Sequence, residues 1–488
     1  MFTTFAYDDV NRWKKATTNT RWVKTYFDGF GRTLKEETGY RASTIVSTVE
    51  TEYDSCGCSP LGKMKRVSRP YAPGGTVYWT TYNYDSQGRV LTVVAPNSSG
   101  TTTYLYEGNT TKVTSPAGKW KKHEVDAAGN LIKVTEPNPA GGADFITTYT
   151  YNDKGLILSV NMPRPTGTQT RTFTYDANGK VLTATNPETG LVTNTYEAQT
   201  GLLQTKIDAR QNKVEYFYDS YKRVTLIKRW EWVVPFGGSG SLVERPEQRS
   251  VFVYDGNSEP GFSATNLAGR LAYVETYAKR GGAAWNAPGG GNAWETMTFR
   301  EMYSYSSAGL MEKKRLKLSG RYSPAYPVAT DFLESSYTFD GEGRMTGQTY
   351  PAAHGLLDPT ETAGASYTYG FDSMGRPNNM PGWIDGVTYN AAGQPTAIAT
   401  TNPLVNGETR AYNVLGQLTS LTTGSYRFEY DFNATANDGR INAQRTFVSN
   451  SQIELIRVWL LWNDAPDGRV ETPLVLLDVE LPIEIEVA

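Results

Sequence analysis

The sequence predicts an all-β protein built from repeated antiparallel β-hairpins. Three observations predict the hairpins. A short signature recurs along the 488 residues: an aromatic, then Asp or Asn, two variable residues, Gly, and a basic or polar residue. The composition favours strands and turns, with 32 Tyr and 47 Gly; Tyr suits a pleated, half-buried surface and Gly supplies positive-φ turn positions. Long Ala/Leu/Glu/Lys-rich segments with a 3.6 period are missing, so little helix is expected.

The chain opens inside a repeat, at Tyr7-Asp8, as though something upstream were missing. Met1–Asp8 has neither a basic region nor an apolar core, so no secretory signal is legible and localisation is not written in the sequence. The signature is clearest at Tyr84-Asp85-Ser86-Gln87-Gly88-Arg89, Tyr175-Asp176-Ala177-Asn178-Gly179-Lys180, Phe339-Asp340-Gly341-Glu342-Gly343-Arg344 and Phe371-Asp372-Ser373-Met374-Gly375-Arg376. Phe27-Asp28-Gly29-Phe30-Gly31-Arg32 belongs with them. Weaker copies stand at Val125-Asp126, Tyr151-Asn152, Tyr218-Asp219, Tyr389-Asn390 and Tyr412-Asn413.

Each copy reads as a hairpin turn. Asp or Asn accepts from the backbone N–H two residues on, which pre-forms the turn. Gly then takes the left-handed conformation that closes a loop built on a type I turn. A basic residue starts the return strand, followed by apolar and β-branched residues such as Val90-Leu91-Thr92. Incoming strands alternate, as in Tyr82-Asn83-Tyr84 and Tyr149-Thr150-Tyr151, so both rings share one sheet face. The rings are expected to pack across strands, at roughly 0.2–1 kcal/mol per pair; an aromatic platform for sugars is the competing reading. The recurring Asp residues are explained by the turn without catalysis.

Two glycine-rich insertions interrupt the series, near 235–241 and 281–294. Their composition is that of flexible surface loops. Trp285 and Trp294 in the second are candidate binding aromatics for a glycan or partner. Cys56-Gly57-Cys58 admits several readings: half a metal site, a small redox loop, a pair of loop thiols or one tight disulfide. A metal site needs about four ligands, and the two His residues, His123 and His354, are distant in sequence; no metal or cofactor is assigned.

At this point the chain resembles the YD/Rhs repeat family, which includes bacterial Rhs proteins, the C-component of insecticidal toxin complexes, wall-associated repeat proteins and teneurin shells. The resemblance runs from about Tyr7 to about Arg440. It implies a hairpin ribbon that spirals into a hollow shell, secreted or at the cell surface, enclosing a C-terminal toxin in bacterial members and supporting adhesion in animal ones. Complete bacterial members continue into a core with Asp-Pro-x-x-Gly or Asp-Pro-x-Gly motifs and, in many, self-cleavage. Asp358-Pro359 lacks the following Gly pattern, so neither self-cleavage nor a toxin domain is carried over. The expected division is a repeat array over 1–445 and an atypical tail over 446–488, a terminal strand or a truncated remnant whose apolar residues nearly alternate with Glu.

A net charge of -2 gives no case for nucleic acid, and no apolar stretch is long enough to span a bilayer. No Gly-x-Ser-x-Gly, His-Glu-x-x-His or Gly-x-x-x-x-Gly-Lys is visible. Acidic pairs remain the one catalytic option. The expectation is therefore a non-enzymatic shell or scaffold whose partner is an enclosed polypeptide or another shell component. The alternative is a cell-surface or carbohydrate-binding module. A β-propeller, with blades of about 40–50 residues, fits the shorter spacing less well.

Overall fold

The computed structural model describes residues 2–56, 59–138, 141–164, 167–256, 259–280, 295–319, 332–351, 364–449, 451–460 and 475–480. Among them no α-helix occurs; two three-residue 3₁₀ turns, Pro96–Ser98 and Pro246–Gln248, are the only helical pieces. The strands form a 28-stranded antiparallel sheet that does not close on itself, an 8-stranded sheet, and a two-stranded pair. All-β hairpin architecture is thus what the sequence dictates. Cys56 ends a strand (Thr44–Cys56). Cys58, the 281–294 insertion with Trp285 and Trp294, His354, Asp358-Pro359 and residues 461–474 and 481–488 lie outside the described residues.

Neighbouring strands pair in chain order, as hairpins require. Thr3–Asp8 pairs with Trp13–Thr18, which pairs with Arg21–Phe27, and that with Thr33–Tyr40. The same rule continues from Trp79–Tyr84 through Val90–Val94 to Thr101–Glu107. One feature of the register was not expected. The partner of the signature aromatic is the residue after the Gly-Arg pair, but the next residue in the return strand has no partner. Tyr84 faces Val90 and Asn83 faces Thr92, leaving Leu91 extra. The same shift occurs at Phe27, Val125, Tyr175, Tyr196, Tyr218, Tyr254, Tyr305, Phe339, Phe371, Tyr389, Tyr412 and Phe432. It is a β-bulge built into the repeat, and a bulge bends its strand and increases the local right-handed twist.

The chain divides into two units. The first comprises Met1–Tyr149, Asn161–Gln169 and Tyr369–Ala488. It brings distant segments together: Asn437 N–H donates to Ser99 O at 2.9 Å, and Arg21 Nη1 donates to Met374 O at 3.1 Å. The start of the tail lies in this unit, where Ser451–Leu460 pairs with both Ile441–Val448 and Val475–Glu480.

The second unit comprises Thr150–Val160 and Thr170–Thr368. Its long strands Leu271–Arg280, Glu295–Tyr305 and Met311–Ser319 carry a covering loop over 259–268. Phe262 and Leu267 of that loop are buried, as are Ala272 and Met302 beneath. Glu259 holds Arg300 at 2.7 Å and also pairs with Lys317. The 235–241 insertion is a compact hairpin turn: Gly238 N–H donates to Pro235 O at 3.0 Å, and Ser241–Glu244 pairs back onto Trp230–Val233. Trp232 lies against Gly240 and covers the turn.

Candidate functional site on the repeat turns

The repeat turn is built from its aspartate outward. In the Tyr84 copy, Asp85 N–H donates to Arg89 O at 2.9 Å and Gly88 N–H donates to Asp85 O at 3.0 Å, which closes the loop. Asp85 Oδ1 accepts the N–H groups of Gln87 and Arg89, both at 2.9 Å. Its other oxygen takes Arg89 Nε at 2.7 Å. Gly88 sits at φ 78°, where a side chain is strained. Asp340 with Gly343 and Arg344, and Asp372 with Gly375 and Arg376, repeat every one of these contacts within 0.1 Å of the same lengths. Asp176 and Gly179 hold the backbone part alone, because Lys180 turns away to Gly201 O.

The sixth residue of the signature therefore does more than start a strand. In the Asp28, Asp85, Asp219, Asp340 and Asp372 copies an Arg in that place pairs with the carboxylate. In the Asp126 copy Asn130 Nδ2 takes over, at 2.9 Å. Two Asn copies carry Gln there and the pair becomes amide to amide: Asn390 to Gln394 at 3.1 Å, Asn413 to Gln417 at 2.7 Å; the Asn152 copy carries Leu156 and keeps the backbone contacts. Copies lacking an aromatic or Gly were harder to see. Asp208 to Asn212 makes the same turn with Gln211 at φ 66°, and Ser115 to Lys119 makes it from a serine. The Tyr254-Asp255 copy is split, its Gly269-Arg270 returning after the covering loop; Asp255 N–H still donates to Arg270 O.

The signature tyrosine joins one hairpin to the preceding one. Tyr106 Oη donates to Val90 O at 2.9 Å, and the Arg89 guanidinium lies 4.3 Å over its ring. Tyr254 does the same with Val224 O and Arg223, Tyr305 with Leu271 O and Arg270, and Tyr389 with Pro377 O and Arg376. Tyr84, Tyr175, Tyr196, Tyr218 and Tyr412 also donate to a carbonyl of the hairpin before them. We call this contact the latch. Burial pushes the hydroxyls of Tyr106, Tyr254, Tyr305 and Tyr389 above the ordinary tyrosine value, so they stay protonated donors. The expected ring-on-ring ladder is thus a ladder of rings on cations and carbonyls. Between the latched rings, the opposite face carries exposed hydroxyl pairs such as Thr174–Thr183 at 2.6 Å and Thr195–Thr205 at 2.7 Å.

What this arrangement does chemically is hold strands. The turn carboxylates accept backbone N–H groups of their own turns, and among the described residues no group of three or more His, Cys, Asp or Glu is placed to hold a metal ion. His123 sits within Trp120–Val125 in the sheet. An open groove of about 540 Å³ in the first unit is lined by Asn97, Ser99, Tyr412, Asn433 and Asn437 among others; its amides are tied into turns, as with Asn437 to Gln417.

No family model matches the chain, and no curated protein matches it. Solved structures do. One of TcdB2-TccC3 superposes with a TM-score of 0.64 at 16% identity, covering 94% of this chain and 24% of that one. The fold is that of TcdB2-TccC3. A structure titled TcdB2-TccC3-Cdc42 gives a TM-score of 0.63 at 16% identity over 94% of this chain and 23% of its own. TcdB2-TccC3 without its hypervariable C-terminal region gives 0.62 at 16% identity over 93% and 24%. This chain therefore spans about a quarter of the length of the structures it matches. No helix among the described residues is long and apolar enough to cross a membrane.

Proposed function

We propose that this chain is a non-enzymatic structural segment of a YD/Rhs-type shell, which encloses or displays a polypeptide supplied by another segment or chain. One observation carries the reading. The residues that recur, the tyrosines, aspartates, glycines and arginines, are taken up in turns and latches in most copies, so the repeated chemistry of the chain builds a sheet. The sharing of that sheet's fold with TcdB2-TccC3 supports the same reading, and it agrees with the resemblance of the signature to that family. The repeat array over 1–445, with 446–488 as a terminal element, is part of the proposal, as are the turn residues Tyr84, Asp85, Gly88 and Arg89 and their counterparts in structural roles.

Solution scattering with a protease assay tests it. A curved, compact sheet is expected, and a polypeptide co-expressed with the chain should resist trypsin while the chain is intact. A scattering profile of a flexible bead string would overturn the reading. So would turnover on a broad substrate panel that a single Asp or Glu substitution abolishes.

A further inference from the structure

A hairpin of the second unit reaches past the sheet that carries it. Val224–Val233 pairs with Lys213–Tyr218 as far as Trp230, and with Ser250–Tyr254 at Leu226 and Ile227. Beyond that, among the described residues, residues 231–243 pair with one another alone: Glu231 with Val243, Trp232 with Leu242 and Val233 with Ser241. Residues 232–243 include no charged side chain. Trp232, Val234, Phe236 and Val243 are all exposed; Phe236, at the tip, is fully so, and Val234 is 63% exposed. Scattered apolar residues on a surface need no explanation, but a cluster on the end of one projecting hairpin marks a contact. The tip is also built to keep its shape. Gly238 N–H closes the turn on Pro235 O, the Trp232 ring lies against Gly240, and Trp232 N–H donates to Asn212 Oδ1 at 3.1 Å. The base is charged: Arg245 Nε donates to Glu231 and Arg249 Nε to Glu244, both at 2.6 Å.

We infer that this hairpin is a shallow membrane anchor, which seats Phe236 and Val234 at the boundary between the headgroups and acyl chains of a phospholipid bilayer. The placing of the apolar groups selects lipid over a protein pocket. Side chains alternate between the two faces of a hairpin, so Trp232 and Val234 stand on one face, Val243 on the other and Phe236 at the end. A protein groove covers one face; a bilayer interface surrounds the tip and covers both. Trp suits that depth, because its ring is apolar and its N–H stays near water. Pro235 has no N–H to be stripped of water. The Glu231–Arg245 and Glu244–Arg249 pairs limit the depth, since ion pairs are costly to dehydrate. The rigid turn loses little freedom on entry. Seating therefore depends on apolar contact and not on lipid charge.

The inference goes beyond the shell reading and is tested on the full chain. Vesicles of phosphatidylcholine alone are the probe, in large excess because a single shallow anchor binds weakly. The protein is expected to float with them equally at low and high salt. Phe236→Ser should lower its partitioning about tenfold, the loss of one buried aromatic, and leave the thermal melt unchanged. Brominated acyl chains should quench the parent protein more than Trp232→Phe. Absence of flotation by the folded chain overturns the inference, as does flotation that Phe236→Ser leaves unchanged. Flotation confined to vesicles containing phosphatidylserine, and lost in high salt, overturns it in favour of a charged surface elsewhere. Self-association that Phe236→Ser abolishes, with no lipid binding, overturns it in favour of a second copy as the occupant. A compact scattering profile of the same sample shows in each case that the shell reading has not failed with it.

Discussion

At the scale of single residues, the turn shows how little sequence is needed to fix a backbone. Glycine stands at the positive-φ position in most copies because a Cβ there is strained, by about 1–2 kcal/mol for an ordinary residue. Lys222 stands at that position in the Tyr218 copy, at φ 66°, while Asp219 still accepts the N–H groups of Tyr221 and Arg223 at 2.9 Å. Lys222→Gly should therefore stabilise the protein, offset partly by the greater freedom of glycine in the unfolded chain, for a net of about 0.5–1 kcal/mol. Chemical denaturation of the two proteins checks the sign. Such copies were recognisable because the aromatic and Asp survive. The Asp208 and Ser115 turns were not, since neither is preceded by an aromatic.

Between elements, the latch decides how one hairpin sits on the last. Tyr106→Phe keeps the ring over Arg89 and removes one hydrogen bond, which should cost about 0.5–1.5 kcal/mol. Arg89→Gln in a double-mutant cycle with Tyr106→Leu should show a coupling of about 0.5–1 kcal/mol, the size of a partly exposed cation–ring contact. A coupling of zero would mean that the stacking is incidental.

The turns also make the ladder sensitive to acid. Burial of Asp340 works against ionisation, but the Arg344 guanidinium and the backbone N–H groups of Arg344 and Glu342 outweigh it and hold the carboxyl below its ordinary value of 3.8. Asp85, Asp219 and Asp28 follow the same balance; in Asp126 the Asn130 side chain leads. A carboxyl whose folded pKa is depressed adds stability above its unfolded pKa and loses it as pH falls through the folded one. Stability should thus be flat from neutral pH down to about 4 and then fall below it, as thermal melts across that range would record.

The signature's turn geometry, the left-handed glycine and the shared face of the rings were legible in residue types and spacing. The latch and the bulge were not. The latch depends on which carbonyl of the neighbouring hairpin a hydroxyl reaches, and a one-hairpin pattern contains no such information; the bulge lies inside one hairpin and shows in the register of its two strands.

Across the molecule, the first unit gathers segments from both ends of the sequence, and periodicity gives no sign of that. Asn437 is the joint: its N–H meets Ser99 O while its amide exchanges two hydrogen bonds with Gln417, at 3.0 and 2.7 Å. Both Asn437 and Ser99 are buried. Asn437→Ala leaves the Gln417 amide partly unpaired and should cost about 1–3 kcal/mol, with faster hydrogen exchange at both residues 95–101 and 413–418. Faster exchange near 413–418 alone would show that the two segments do not depend on each other.

The central claim is a single hairpin repeated with the same bulge and joined by the same latch. Cysteine cross-linking at one bulge tests it most directly. Bridging needs Cα atoms about 4.4–6.8 Å apart, which directly opposed residues of an antiparallel pair satisfy. In a background with Cys56 and Cys58 replaced by Ser, Thr174→Cys with Thr183→Cys should form a disulfide rapidly, because these residues face each other and Leu182 is the extra residue. Thr174→Cys with Leu182→Cys should form it slowly or not at all. The reverse order of rates is what a plain hairpin without the bulge gives, and it would contradict the repeat described here.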